Sequence, residues 1–408
     1  MARIAPDTSR NFTVLVVGGG VAGLETMLAL RELAGELVEV ELVAAEHQFF
    51  YRPLAVVEPF GGPRIGPWEL ADLTRAAGVR FTPGELRAVE VEAHTAELRS
   101  GQRIPYDAVL LACGARPTAA IPGALTFRGP ADVERFAALL EDVKSGEAKR
   151  LVFAVPSGIV WPLPLYELAL QTATELEREG SEATLGIVTS EPAPLALFGR
   201  AASEAVQDLL RQHGITVHAS VYSAELHEGL LKCVPEGEVP ADRVVALPRL
   251  SGPEIDGVPR DRNGFVRTDG HGRVAGAPDV YAAGDLTAFP IKQGGLAAQQ
   301  ADAAAEAIAA AAGAAINPRP FRPVLRALLL SGGRPTFLRV ELTGGHGESS
   351  TASLDPLWWQ PGKIIGRRLA PFLANLGVFD VAAEPNEGDI LRIETDPAAL
   401  HELMLPHA

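Results

Sequence analysis

Short runs of aliphatic and β-branched residues alternate with helical-period stretches along most of the chain, the pattern of a parallel sheet with crossover helices. Val14–Val17 predicts a strand buried on both faces, followed by a helix from about Val21 to Leu33 and a second strand over Val38–Val43. Val79–Leu98 alternates like a small β-meander, with turns near Pro83-Gly84 and Ser100-Gly101. From Tyr106, YDAVLLACGARP reads as a buried strand ending at Gly114, where backbone can approach a ligand. A second α/β unit follows: strand Leu151–Val155, helix Leu165–Arg178, strand Ala183–Thr189, helix Ala201–His213 and strand Ile215–Ala219. The chain then returns to the first unit through GFVRTDGHGRVAGAPDVYAAGD, and the alanine-rich stretch Ala301–Ala315 supplies another crossover helix. Beyond Pro320 the periodicity disappears. The expectation is an α/β protein with two nested Rossmann-like units (1–118 with 246–320, and 119–245) and a C-terminal α+β region over 321–408.

The first turn carries recognisable chemistry. Gly18, Gly20 and Gly23 satisfy G-x-G-x-x-G between strand and helix: one for the tight turn, one for approach to a pyrophosphate, one for close helix packing. The helix starting at Val21 and Ala22 points its unpaired N–H groups and positive dipole end at the phosphates. This is a dinucleotide site. An acid ending the second strand would bind a ribose hydroxyl; Ala44 and Ala45 hold the usual place, so Glu46 is the candidate, against a plain solvated loop glutamate.

Composition narrows the class. The 51 acidic and 36 basic residues give a net charge of −15, which disfavours nucleic acid as a partner. The stretch before the first strand has no apolar signal region, and no window reaches the roughly 18 apolar residues of a spanning helix. Asp302 and Glu306 interrupt the alanine-rich stretch that comes nearest, so the expected location is cytoplasmic. Cys113 and Cys233 have no C-x-x-C spacing and are expected to be buried small hydrophobes. His401 and His407 stand on different helix faces, so no metal site is expected.

GGGVAGLE with Glu25, YDAVLLACGARP with Cys113 in the usual threonine slot, and VYAAGD ending at Gly284 and Asp285 resemble, in that order, the motifs of the two-dinucleotide-domain flavoproteins. Within that pyridine nucleotide-disulfide oxidoreductase superfamily, the chain resembles most the branch of type II NADH dehydrogenases and sulfide:quinone oxidoreductases. The resemblance covers about residues 12–320 and implies non-covalent FAD, with Ala112 and Gly114 beside it and Asp285 on its ribityl chain. It also implies that the helix opening with Gln293 and Gly294 points at the flavin pyrimidine ring, with Lys292 tuning the redox potential or simply exposed near the helix start. Tyr51, Arg52 and Pro53 resemble the loop that passes the flavin, where Arg52 contacts flavin, phosphate or substrate, or makes a structural salt bridge.

Equally informative is what departs from the family. No C-x-x-x-x-C pair follows the second strand, so dithiol relay chemistry is not expected. Trp161 stands where sulfide oxidases carry a second-domain cysteine, and no cysteine follows Cys233. After Leu151–Val155 the loop PSGIVWPLP holds Gly158 but also Trp161, Pro156, Pro162 and Pro164, and proline removes N–H donors. Ordinary NAD(P)H binding is therefore doubtful, although Glu191 follows a strand where a ribose acid would sit.

Residues 317–372 carry eight basic side chains against three acidic ones, and LDPLWWQPGKIIGRRLAPFLANLG combines Trp358 and Trp359 with cations. Residues 354–376 suit a membrane surface, or an interface between domains or between subunits of a homodimer. The reading is an FAD-dependent oxidoreductase passing electrons from an unassigned small-molecule donor to a quinone or other diffusible acceptor. The alternative is a flavin-containing binding or regulatory protein with little turnover.

Overall fold

The structure, a computed structural model, describes residues 11–62, 66–235, 237–342, 349–354, 357, 358, 363, 366–376 and 391–394. Its first sheet is wholly parallel, in the order Val280–Ala282, Ala108–Leu111, Phe12–Val17, Val38–Ala44, Arg80–Pro83. Strand alternation splits Phe12–Val17 between two cores. Val14 and Val16 face the helices Val21–Ala34 and Gly294–Ala311 through Leu24, Met27, Ala304 and Ile308. Leu15 and Val17 face a three-stranded antiparallel sheet through Leu86, Ala96 and Leu98. Both faces are covered, hence the unbroken aliphatic run.

One sequence expectation needs correcting here. Arg80–Pro83 is the parallel edge strand of the first sheet, and the meander begins at Leu86–Glu90, continuing through Thr95–Leu98 and Arg103–Pro105. The edge position explains the misreading. Arg80 reaches Glu39 and Glu41 on the neighbouring strand, and Thr82 Oγ1 donates to Glu41 at 2.6 Å, so the strand carries a polar pattern instead of an aliphatic run.

The second sheet is also parallel, in the order Leu125–Thr126, Arg243–Ala246, Arg150–Ala154, Thr184–Val188, Thr216–His218. Its chain leaves and re-enters the first unit through Arg116–Thr118 and Arg249–Ser251, which pair antiparallel. The helices Leu163–Glu179 and Arg200–Gln212 cover one face. The region without Rossmann periodicity is an antiparallel sheet, Val324–Leu329, Thr336–Glu341, Ser349–Ser353, Leu391–Glu394. Leu325, Ala327, Leu338 and Val340 join the core of the second unit.

The acids that interrupt the alanine-rich helix have structural work. Glu306 accepts from Arg319 at 2.6 Å and from its backbone N–H at 2.7 Å, and Asp302 pairs with Arg368. Arg368 also binds Glu32 at 2.8 Å. The backbone N–H groups of Arg368 and Leu369, opening the short helix Leu369–Asn375, both donate at 2.8 Å to Glu25, which is fully buried. Trp358 meets Phe337 edge-on, and Lys363 is buried against Glu167. Lys363, Arg368 and Trp358 therefore pack inward, whereas Arg367 is exposed; Trp359 lies outside the described residues. No helix among the described residues is long and apolar enough to cross a membrane.

Burial and the neighbouring Asp302 push the Glu25 carboxyl from 4.5 to about 7, against the two N–H donors and Arg368. A carboxyl whose folded value is raised holds its proton more tightly in the fold. Its contribution is complete below about pH 4.5 and is lost as pH rises towards 7, on the order of 3 kcal/mol. Glu25→Gln is expected to reduce the pH slope of urea-unfolding stability between pH 4.5 and 7, compared with the parent chain. An unchanged slope would place the titration elsewhere.

Candidate functional site

At the C-terminal ends of the first sheet, backbone crosses backbone. Gly18 has φ 121°, a conformation closed to most side chains, and a Cβ there would overlap the carbonyl oxygen of Ala112. A Cβ on Gly23 would overlap the carbonyl of Gly18, so the helix starts tight against the turn. Gly20 is different. It is extended and exposed, and a Cβ there meets nothing within 4 Å. The fold does not need glycine at that position, but a group approaching the helix end does. The first helical hydrogen bond runs from Leu24 to Gly20, leaving the N–H groups of Val21, Ala22 and Gly23 ahead of it. This arrangement fits a pyrophosphate.

The neighbouring turns open on the same side. Ala112 is buried, Gly114 has φ 70° with open space beyond its Cα, and Cys113 between them is exposed. Cys233 is buried as expected; Cys113 is not, because it stands where the strand ends and the sheet opens. Glu46 is exposed on the loop after Val38–Ala44, within electrostatic range of Cys113.

Gly284 joins the two distant motifs. A Cβ on it would lie 3.1 Å from the Cβ of Ala22, so the turn Gly284–Leu286 abuts the first turn of the glycine-motif helix. Gln300 accepts from the Gly284 N–H at 2.7 Å, and Thr287 Oγ1 donates to the Gly284 carbonyl at 2.9 Å. Asp285 is half-buried, within electrostatic range of Lys292 and Arg52. Burial raises its carboxyl, and those two cations oppose the rise. Lys292 donates to the Thr287 carbonyl and sits 3.9 Å from the centroid of the Phe265 ring. Burial lowers its ammonium to about 8, against the pull of Asp285 and Asp261. Gln293 caps the helix Gly294–Ala311, its Oε1 accepting from Leu296 at 2.7 Å, while its Nε2 donates to the Arg326 carbonyl at 3.2 Å.

Arg52 is exposed and opens a single turn, Arg52–Leu54. The carbonyl of Pro53 accepts from Lys363 at 3.2 Å, and Lys363 pairs with Glu167, buried on the helix Leu163–Glu179. Burial raises the Glu167 carboxyl and lowers the Lys363 ammonium, each shift opposed by the other's charge. Sequence reasoning missed Gln300, Thr287 and this pair. Glu167 did leave a signal, a lone acid inside the apolar run LPLYELAL.

The second strand–helix turn is built otherwise. Residues 155–162 separate Arg150–Ala154 from Leu163–Glu179, where residues 18–20 suffice in the first unit. Gly158 has φ 83° and nothing within 4 Å of a Cβ, as at Gly114, so the difference from the first turn lies in the loop length and the residues that follow it. Trp161 packs against Phe198 with ring centroids 5.9 Å apart, and Pro162 and Pro164 supply no N–H to the helix start. Glu191, where a ribose acid would sit, is turned into the core. It accepts from Tyr166 at 2.7 Å and Thr189 at 2.9 Å, and burial pushes it up to about 7. Among the described residues no three metal-ligating side chains cluster.

Gly20→Ala is expected to change stability by no more than about 1 kcal/mol while the protein loses most of its copurifying flavin, read by absorbance. Gly18→Ala should impair folding itself. Full flavin content in Gly20→Ala would remove that glycine from the ligand site.

Comparison with known proteins agrees with this geometry. The chain is 25% identical over 308 residues to a sulfide-quinone reductase of Aquifex aeolicus, covering 68% of this chain and 69% of that one. It is 26% identical over 311 residues to the ferredoxin–NAD(+) reductase subunit of a benzene 1,2-dioxygenase system of Pseudomonas putida, covering 69% and 68%. It is also 26% identical over 315 residues to a type II NADH:quinone oxidoreductase of Mycobacterium tuberculosis, covering 68% and 66%. The solved sulfide:quinone oxidoreductase of Aquifex aeolicus shares the fold with a TM-score of 0.77 at 21% identity, over 84% of this chain and 87% of that one. Residues 12–311 match the family model described as pyridine nucleotide-disulphide oxidoreductase, and the chain belongs to that family of oxidoreductases.

Proposed function

We propose that this oxidoreductase holds FAD non-covalently and passes electrons from a donor other than NAD(P)H to a quinone. The observation that carries the donor half is the contrast between the two strand–helix turns. The first leaves three backbone N–H groups free and bare glycine in front of them; the second carries a long proline-rich loop, an indole and a sequestered Glu191. On this reading residues 1–118 and 246–320 form the FAD unit, 119–245 a Rossmann-like unit without its nucleotide, and 321–408 the cap. The named relatives are all redox enzymes, and nothing favours a protein without turnover.

FAD would supply the two-electron chemistry, held by Gly18, Gly20 and Gly23 at its pyrophosphate, Glu46 at the ribose and Asp285 at the ribityl chain. Gly114 leaves room beside it. Lys292 and the N-terminus of Gly294–Ala311 stabilise negative charge near the flavin pyrimidine ring. The acceptor half rests on Glu167 and Lys363. Reducing a quinone consumes two protons along with two electrons, and this pair reaches the Arg52–Leu54 loop through the Pro53 carbonyl. Lys363 donates one proton to a quinone oxygen there, the other would arrive with the electron pair as hydride, and the Glu167 charge opposes the loss of the ammonium proton on burial. The absence of a cysteine pair argues against the dithiol route to sulfide. Among the described residues of 354–376, Leu354 and Leu376 are the exposed large apolar side chains that a membrane surface would meet.

Anaerobic stopped-flow tests the donor. NADH and NADPH should leave the flavin absorbance unchanged, whereas chemically reduced protein should reoxidise rapidly with a short-chain quinone. Rapid bleaching by NADH sinks the donor reading, and failure to reoxidise sinks the acceptor reading. Lys363→Met should cost about 3–5 kcal/mol by stranding a buried carboxylate. Lys363→Met with Glu167→Gln should recover most of that stability, yet reoxidise about 10²-fold more slowly. Recovery of both would make the pair structural.

A further inference from the structure

On the C-terminal sheet two cations face each other, and among the described residues Glu341 is the acid that both feel. Val324–Leu329 and Thr336–Glu341 pair antiparallel with Arg326 directly opposite Arg339. Alternation sends Leu325, Ala327, Leu338 and Val340 into the core and leaves both arginines on the other face. Like charges directly opposite one another destabilise a sheet. Arg339 pairs with Glu341, whose charge Arg326 also feels, but the buried Nε of Arg326 has no hydrogen-bond partner. Burial, and then the charge of Arg339, lower its basicity.

The same face carries a second unsatisfied donor. Phe337 lies diagonal to Arg326 across the strand pair and is nearly inaccessible. Trp358 covers it edge-on with ring centroids 4.9 Å apart, and the indole Nε1 is buried without a partner. A buried donor left unpaired destabilises the fold, and a charged one more so. Two on one small patch, beside an aromatic pair, describe a site that lacks its acceptor.

We propose that Arg326, Arg339, Phe337 and Trp358 form a binding site for a small organic oxyanion, a carboxylate carried on an apolar body. A guanidinium fork matches a carboxylate through two parallel hydrogen bonds. The indole N–H offers a further donor, and the aromatic rings take the apolar part. The site also communicates with the helix Gly294–Ala311. Gln293, which caps that helix through Leu296, donates its other end to the Arg326 carbonyl. The inference does not depend on the identity of donor or acceptor, since its evidence is the unpaired donors alone.

Thermal unfolding of the full chain in a chloride buffer tests it, with sodium benzoate, inorganic phosphate and phosphatidylglycerol vesicles as probes. Benzoate should raise Tm by about 2 °C or more, phosphate less, and calorimetry should show benzoate binding. Arg326→Leu should raise Tm without any probe, because it removes a cation whose buried Nε has no hydrogen-bond partner, and should abolish the benzoate response. Arg326→Gln should abolish the response as well. An Arg326-dependent shift with vesicles and none with benzoate would overturn the small-ligand assignment in favour of a lipid headgroup. No shift with any probe, an equal shift in both variants, or a lower Tm for probe-free Arg326→Leu would also overturn the proposal.

Discussion

The structure depends on one place where backbone meets backbone with no side chain between. The Ala112 carbonyl fills the space where a side chain of Gly18 would stand, and the Gly18 carbonyl does the same to Gly23. Two neighbouring strands and the helix between them are thereby held at a separation that only glycine allows. Close packing there brings the first turn of that helix against Gly284, and Gly284 fixes where Asp285 and Lys292 point. The site is assembled from segments far apart in the chain because a few glycines let their main chains touch.

Much of this is legible in the residues themselves, and the physical reason is specific. A positive φ or a close approach demands one residue type, so Gly18, Gly23 and Gly284 announce their turns. Buried parallel strands announce themselves by aliphatic runs. What does not show is anything whose meaning lies in a remote partner. Gln300 holds the Gly284 turn, and Lys363 neutralises Glu167, but no spacing records either pairing. The edge strand Arg80–Pro83 was hidden because its polar residues serve Glu39 and Glu41 on the strand beside it. The position of Glu191 after a strand is legible, but its direction is not, because Tyr166, on a neighbouring helix, holds that carboxyl inward.

Three buried acids show how one residue type does different jobs. Glu25 receives two backbone N–H groups from the C-terminal segment, Glu167 holds a buried ammonium, and Glu191 accepts from a phenol and a hydroxyl. Burial raises the carboxyl in all three, and the partners determine what each can do. Only Glu167 is paired with a proton-carrying cation next to the Arg52–Leu54 loop. Glu191 is spent on packing the second unit, consistent with a domain that kept its architecture while its nucleotide seat was rebuilt.

The contact between Glu25 and the backbone of Arg368 and Leu369 also sets an order of events in the cell. The helix that opens the glycine motif leaves the ribosome before the segment that carries the donors for its buried carboxyl, 343 residues later. At about 5–20 residues per second, roughly 20 to 70 seconds separate the two. During that interval the nascent first unit carries an acid facing a gap in its own surface, and the gap closes only when the C-terminal segment arrives. Until then water, rather than backbone N–H, serves the Glu25 carboxyl, so its burial waits on a segment 343 residues further along the chain.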